Sequence, residues 1–260
     1  MGWIPSYKKP GSGGDMPTII TWSGGTDEEI VAMLQAHYDG LLDIHDYWSV
    51  GDERTISLSA MSAYSPLTDT HVAQDVTFVL TNVGGKYLSD GVTECAFQVD
   101  QKDCLKEKGY LHSTSNNIWA TVCARRPWCN DTYYNSIPST IRPIFKQFIN
   151  QTGNADGGTS WASSGVVDTI DYFSLRAEIE ILGTTSKSVS GEGSQVDYYK
   201  TSSNREKQIN GQSSTDDYYW GRSPSYNTYN RVVCFCSSLG GTIYQNSPTW
   251  ARGIAPFGVI

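Results

Sequence analysis

Helical spacing first appears after Thr26-Asp27-Glu28-Glu29. There the Thr26 hydroxyl can bond the Glu29 amide while the Glu29 carboxylate reaches back, a capping box. Ile30, Val31, Met33, Leu34, Tyr38 and Leu41 follow at helical spacing with Gly40 near the end, which predicts a helix packed against a sheet. The period then changes to two. Residues 55–61 put Ile56, Leu58 and Ala60 on one face, and residues 72–80 are rich in Val, Phe and Thr, so a hairpin-like pair with its loop at 65–70 is expected. Residues 119–150 read as helical in pieces. Ser139 follows Pro138 as a cap, Pro143 falls in the first turn, and Ile141, Ile144, Phe145 and Phe148 share one apolar face. A third helix is expected after Ser174, with Leu175, Ile179 and Leu182 inward and Gly183 as its stop. Residues 184–216 are polar and rich in Gly and Ser, the pattern of a long loop, and strands at 231–236 and 253–260 close the chain.

This order predicts an α+β fold with small antiparallel sheets, two or three helices and long loops, occupying residues 19–260. Residues 1–18 have linker composition, with Pro5, Pro10 and Pro17 around Gly11-Ser12-Gly13-Gly14, and are expected to be a flexible lead or attachment arm. No repeat of the length that builds solenoids or propellers is visible. At 260 residues the chain can bury a full core without a metal or disulfide staple. Aromatic residues are enriched at 12%, with 16 Tyr and 8 Trp, so large amphipathic rings replace part of the aliphatic mass.

The formal net charge is −8 and basic residues never cluster beyond the pairs Lys8-Lys9 and Arg125-Arg126, which argues against a nucleic-acid partner. The sequence has no apolar run long enough to insert in a membrane, and its start has no apolar region of a signal peptide, so any export is expected by a non-Sec route. Cys95, Cys104, Cys123, Cys129, Cys234 and Cys236 fit neither paired zinc knuckles nor a C-x-x-C motif. Free buried thiols are expected, with Cys95/Cys104 or Cys123/Cys129 as the pairs an oxidising setting would form. His37, His45, Asp43 and Asp46 read as surface or packing residues rather than a metal site. Hydrolase, zincin and P-loop motifs do not occur, so neither an enzyme nor a cofactor is expected.

The densest functional composition lies between Trp220-Gly221-Arg222-Ser223-Pro224 and Gly253-Ile254-Ala255-Pro256-Phe257. Tyr226, Asn227, Tyr229, Asn230, Cys234, Cys236, Ser237, Thr242, Tyr244, Asn246, Ser247 and Trp250 are the candidate ligand-binding residues. Rigid aromatics interleaved with small hydrogen-bonding side chains give large contact area at low entropy cost.

The ordered set Trp119, Arg126-Pro127-Trp128, Asn130, residues 134–138, Phe173-Ser174-Leu175, Glu178-Ile179, Gly183, Glu192-Gly193, residues 197–200, residues 220–224 and residues 253–257 resembles the DUF6273 group of phage and gut-bacterial proteins, over roughly residues 20–260. The ending is similar to the C-type lectin fold, in which a W-x-R-S-P segment, a strand, a variable loop and a terminal G-x-x-P-x-F strand build the ligand face. Such domains occur in phage tail adhesins and as variable proteins of diversity-generating retroelements. Adenine-directed mutagenesis of an asparagine codon reaches Asn, Tyr, Ser, Thr, Asp, Gly and Cys, the residue types enriched here. The resemblance implies a receptor-binding adhesin of a virion, tail fibre or cell surface, meeting a bacterial surface protein or glycan and able to form a homo-oligomer within a virion. Trp220, Arg222, Pro224, Gly253, Pro256 and Phe257 would then support the face from beneath. Two alternatives stay open: a structural virion or tail component without a variable site, and an oxidase of the formylglycine-generating type. The oxidase rests on Cys234-x-Cys236, whose spacing departs from that family's longer gap.

Overall fold

The computed structural model describes residues 16–114, 118–154, 165–210, 218–225 and 231–260. The expected N-terminal linker lies almost wholly outside them. Helix α1 spans Asp27–Tyr38, and its capping box forms: Glu29 N donates to Thr26 Oγ1 at 3.3 Å and Thr26 N to Glu29 Oε2 at 2.8 Å. The expected apolar stripe is buried at Ile30, Met33 and Leu34, whereas Leu41, past the helix end, is exposed.

Strands β1 (Glu53–Leu58) and β2 (Gln74–Val83) form the expected hairpin, with Ile56 and Leu58 inward and Ala60 exposed beyond the strand. Strand β3 (Phe97–Gln101) pairs with β2 across a register shift at Leu80/Asn82. This leaves Thr81 outside the cross-strand pairing, and its buried hydroxyl donates to Asp100 Oδ2 at 2.7 Å.

A helical segment follows, built from α2 (Arg125–Trp128), a π-helical turn (Cys129–Tyr133) and α3 (Tyr134–Ser136). The helix expected around Ile141 to Phe148 is instead one 3-10 turn, Arg142–Ile144, because Phe145 is already extended and Lys146 N is captured by Val259 O at 3.0 Å. Phe148 opens strand β4 (Phe148–Gly153), which pairs with β5 (Val166–Asp171). The apolar residues of that stretch are all buried, so the pattern locates core positions but not the element type.

After β6 (Phe173–Ser174), the expected third helix is the short α4 (Glu178–Leu182), ended by left-handed Gly183 at φ 75°. Of the expected Leu175/Ile179/Leu182 stripe, only Leu175, which precedes the helix, is buried. Glu178, Glu180 and Ile181 are buried, while Ile179 and Leu182 are half-buried. Glu178 receives the backbone amides of Ser186, Lys187 and Ser188, and Glu180 is ion-paired with Arg222 at 2.6 Å. The presumed long loop is, over its described part, a strap that threads the interior: Glu192, Val196, Tyr199, Lys207 and Ile209 are all buried.

The chain ends in β7 (Tyr218–Pro224), β8 (Val232–Cys236), β9 (Thr242–Asn246) and β10 (Phe257–Val259). The main antiparallel sheet has the order β1-β2-β3-β10-β6, so the C-terminal strand sits inside it rather than at its rim. Among the described residues a two-stranded β4-β5 sheet and a three-stranded β7-β8-β9 sheet accompany it. The architecture is therefore mixed α+β, with small antiparallel sheets and few helices.

The hairpin loop is tied to α2 by Asp69. Arg125 Nη2 donates to Asp69 Oδ2 at 2.6 Å, and His71 Nε2 lies 3.1 Å from the same oxygen. Burial alone would raise this carboxyl, but the His71 hydrogen bond and the Arg125 charge outweigh it and bring it down to about 2. A carboxylate depressed in the folded state stabilises above its unfolded value and loses that contribution as pH falls towards the folded one. Asp69 should therefore contribute about 2 kcal/mol at neutral pH, lost between about pH 4 and pH 2. Urea unfolding of Asp69→Asn should show this deficit at pH 7 and converge on the parent near pH 2. A constant deficit across that range would assign the effect to packing.

Candidate binding face

The β7-β8-β9 sheet carries five of the twelve candidate residues, Cys234, Cys236, Thr242, Tyr244 and Asn246. Cross-strand register places Tyr218 with Cys236 and Thr242, and Trp220 with Cys234 and Tyr244, on one face. Tyr219, Phe235 and Ile243 share the other. Both faces are covered near β7 and β8. Trp220, Val232 and Cys234 enter the main core, while Tyr219, Val233 and Phe235 enter a second cluster with Cys104, Ile181 and Tyr199. Exposure returns only towards β9 and the turn that follows.

That geometry divides the candidate residues. Thr242, Tyr244 and Trp250 are exposed, Tyr244 at 40% and Trp250 at 49%, and Ser247 is half-buried with its hydroxyl 2.9 Å from Thr249 Oγ1. Cys234, Cys236 and Asn246 are corrected from ligand contacts to interior residues. They sit on the covered part of the sheet, where Asn246 Nδ2 donates to Cys234 Sγ at 3.0 Å. Ser237 opens the 3-10 turn Ser237–Leu239. Tyr226, Asn227, Tyr229 and Asn230 lie outside the described residues.

The supporting residues are buried as expected. Trp220 Nε1 donates to Gly109 O at 3.1 Å, and its backbone amide donates to Gly253 O at 3.0 Å. Arg222 donates to Leu175 O, Gln151 O and Glu192 O besides its Glu180 pair. Pro224, Gly253 and Pro256 are buried, and the Phe257 ring lies 3.7 Å from the Arg176 guanidinium carbon. Gly253 has a steric reason for its identity, since a Cβ there would fall 2.5 Å from Cys104 Sγ.

Three residues absent from the sequence-based set complete the face. Arg252 stands 5.0 Å over the Tyr218 ring and 5.2 Å over that of Trp250, Arg231 stands 6.0 Å over Trp250, and Tyr218 meets Tyr244 edge-on at 5.0 Å. The result is a layer of aromatic rings and guanidinium groups. Arg252 Nε is buried without a hydrogen-bond partner among the described residues. Guanidinium planes held by rings keep their edge donors aimed, a preorganised arrangement for carboxylates beside apolar surface. Arg252, two residues after Trp250 and next to the terminal strand, was the readable sign; its ring partners are fixed only by the sheet register.

All six cysteines are buried and none is in a disulfide, so neither of the pairs considered for an oxidising setting forms. Burial pushes the Cys234 thiol up to about 12 against the opposing Asn246 hydrogen bond. A second concavity, a cleft of about 460 Å³, is lined by Tyr64, His112, Trp119, Arg126 and Asn130 among others. Its Arg126 and Asn130 are occupied in binding Asp171, Ala120 O and Phe173 O, which lock α2 to β5 and β6.

The fold and this face describe a mixed α+β protein that exposes an aromatic and arginine layer at the edge of a small sheet. Residues 94–257 match the family described as Domain of unknown function (DUF6273), and the chain belongs to that family. The match begins after β2, so α1 and the β1-β2 hairpin lie upstream of it although they share the main sheet. No curated protein matches the chain, and no solved structure does.

Proposed function

We propose that this protein is a ligand-binding adhesin or receptor-binding protein of phage or phage-like origin, with a C-type lectin-like fold and a C-terminal face diversified in the manner of retroelement variable proteins. Its target is a bacterial surface protein or glycan carrying carboxylates beside apolar surface, and it acts at a virion or cell surface. The observation that carries this reading is the exposure of Tyr244 and Trp250, with the half-buried Arg252 guanidinium beside Trp250, at the rim of a sheet whose β7 and β8 strands are largely buried. A binding role uses these groups as they stand, with rings for contact and guanidinium edges for acidic groups, and asks no bond-making of them. Tyr226 and Tyr229 remain part of the proposed binding set and lie outside the described residues.

Tyr244→Ala and Trp250→Ala are each expected to weaken attachment to intact bacterial cells by roughly 30-fold, about 2 kcal/mol, the usual cost of truncating a central aromatic contact. Their melting temperatures should match the parent because neither ring is in the core. Attachment measured by cell pull-down and biolayer interferometry that is unchanged in the double variant would discard this face as the recognition surface.

A further inference from the structure

Lys86 is an unusual lysine for its position. It follows the turn Gly84-Gly85, both glycines at positive φ, and its side chain is only 3% exposed. Burying an ammonium is costly, and the groups that meet it decide what it can do. Its Nζ lies 2.8 Å from Glu180 Oε1 and 3.2 Å from Asn150 Oδ1. Asn150 is itself fully buried on β4, and its Nδ2 points away from the lysine, donating to Ser174 Oγ at 2.9 Å and Asp171 Oδ2 at 3.3 Å. The amine therefore addresses the carbonyl side of a side-chain amide whose amino group is separately held. Above them, a Cβ added to Gly193 would fall 3.2 Å from Glu180 Oε1 and 3.5 Å from Lys86 Nζ, so the strap seals the cluster with a residue that has no side chain.

We propose that Lys86, Asn150 and Glu180 form an autocatalytic cross-linking site that joins Lys86 Nζ to Asn150 Cγ as an intramolecular isopeptide bond. Glu180 is the base, and the surrounding fold supplies proximity and exclusion of water. Burial lowers the Lys86 ammonium below its ordinary range, which favours release of the nucleophilic amine. Glu180 is kept as a carboxylate by Arg222, Lys86 and Arg176, which together outweigh its own burial; this makes it a weak base that orients the Lys86 amine from 2.8 Å and carries its proton only until ammonia departs.

The step balances within the protein. Lys86 gives one proton to Glu180, and the freed lone pair attacks Asn150 Cγ. The Nζ–Cγ bond forms, a second Nζ proton passes to Nδ2, and the Cγ–Nδ2 bond breaks. Ammonia departs and carries off the proton held by Glu180 as ammonium. No oxidant, metal or co-reactant is consumed. The bond closes a loop between positions 64 apart in sequence and ties the segment upstream of the family match to β4 inside it.

Intact-mass spectrometry of the purified, denatured full chain tests this directly. The expected result is a mass lower than the sequence by one ammonia, with a branched peptide joining Lys86 to Asn150 after proteolysis. Lys86→Met and Asn150→Ala should restore the unmodified mass. Glu180→Gln should retain it for hours where the parent reacts on folding, and the parent's own mass stands as a readout even if these variants fold poorly. The full sequence mass in the parent after prolonged incubation at neutral pH overturns the proposal. So does an ammonia loss that peptide sequencing places in a cyclised asparagine rather than in a Lys86 branch.

Discussion

Arg176→Met is expected to cost about 3–5 kcal/mol of folding stability, because it strips the counter-charge from a carboxylate that has no route to water. Arg176 Nε donates to Asp100 Oδ1 at 3.0 Å, its Nη1 to Gln98 Oε1 at 2.6 Å and its Nη2 to Thr81 Oγ1 at 3.1 Å, while Asp100 is 0% exposed. Methionine fills similar space against the Phe257 ring, so the loss reports charge rather than a cavity. Burial would raise the Asp100 carboxyl, and Arg176, Lys207 and Thr81 together hold it below its ordinary value. Without Arg176, the Tyr199 hydroxyl at 2.8 Å, Thr81 and the charge of Lys207 remain, a weaker set than the guanidinium that bonds both Asp100 oxygens. Asp100→Asn in the Arg176→Met background should recover part of the loss, since the stranded charge rather than the missing pair dominates the cost. Urea unfolding with an unchanged slope checks both values. A deficit below about 1 kcal/mol for the single variant would mean that water or another group reaches Asp100.

What the sequence reveals about this fold depends on where the determining interactions lie. The capping box at Thr26 and the alternation at Ile56 and Leu58 are local, and the structure places both as read. The inward face of α4 is not legible because it carries Glu178 and Glu180, whose partners lie outside the helix: the amides of Ser186, Lys187 and Ser188 for Glu178, and the distant Arg222 and Lys86 for Glu180. Periodicity treats a glutamate as a solvent position, and only the assembled interior offers cations to match it. The same holds within the candidate site. Composition singles out the segment before Gly253, but Cys234 and Asn246 are buried in the covered part of the β7-β8-β9 sheet, which alternation along β8 and β9 cannot disclose without knowing what packs on them. Arg252 escaped notice because its significance comes from Tyr218, a residue 34 positions away that the sheet brings under it.

Trp220→Ala should produce the opposite phenotype from Trp250→Ala and thereby separate support from recognition. Trp220 is 1% exposed, donates from Nε1 to Gly109 O, and lies on the sheet face that enters the main core with Val232, Cys234 and Ile254. Truncating it removes a large buried ring and strands the Gly109 carbonyl, an expected loss of about 3–5 kcal/mol. For a chain of this size that lowers the melting temperature by roughly 10 °C. Attachment should fall only in proportion to the unfolded fraction and recover on cooling, because the ring, though on the same sheet face as Tyr244, is buried. Trp220→Phe keeps most of the packing, giving up the Nε1 donor and part of the ring's contacts, and should cost about 1–2 kcal/mol. Trp250→Ala, by contrast, should weaken attachment at every temperature without moving the melting transition. If Trp220→Ala abolished attachment while its melting curve stayed in place, the two tryptophans would share one role, and the division between a buried supporting sheet and an exposed rim would have to be abandoned.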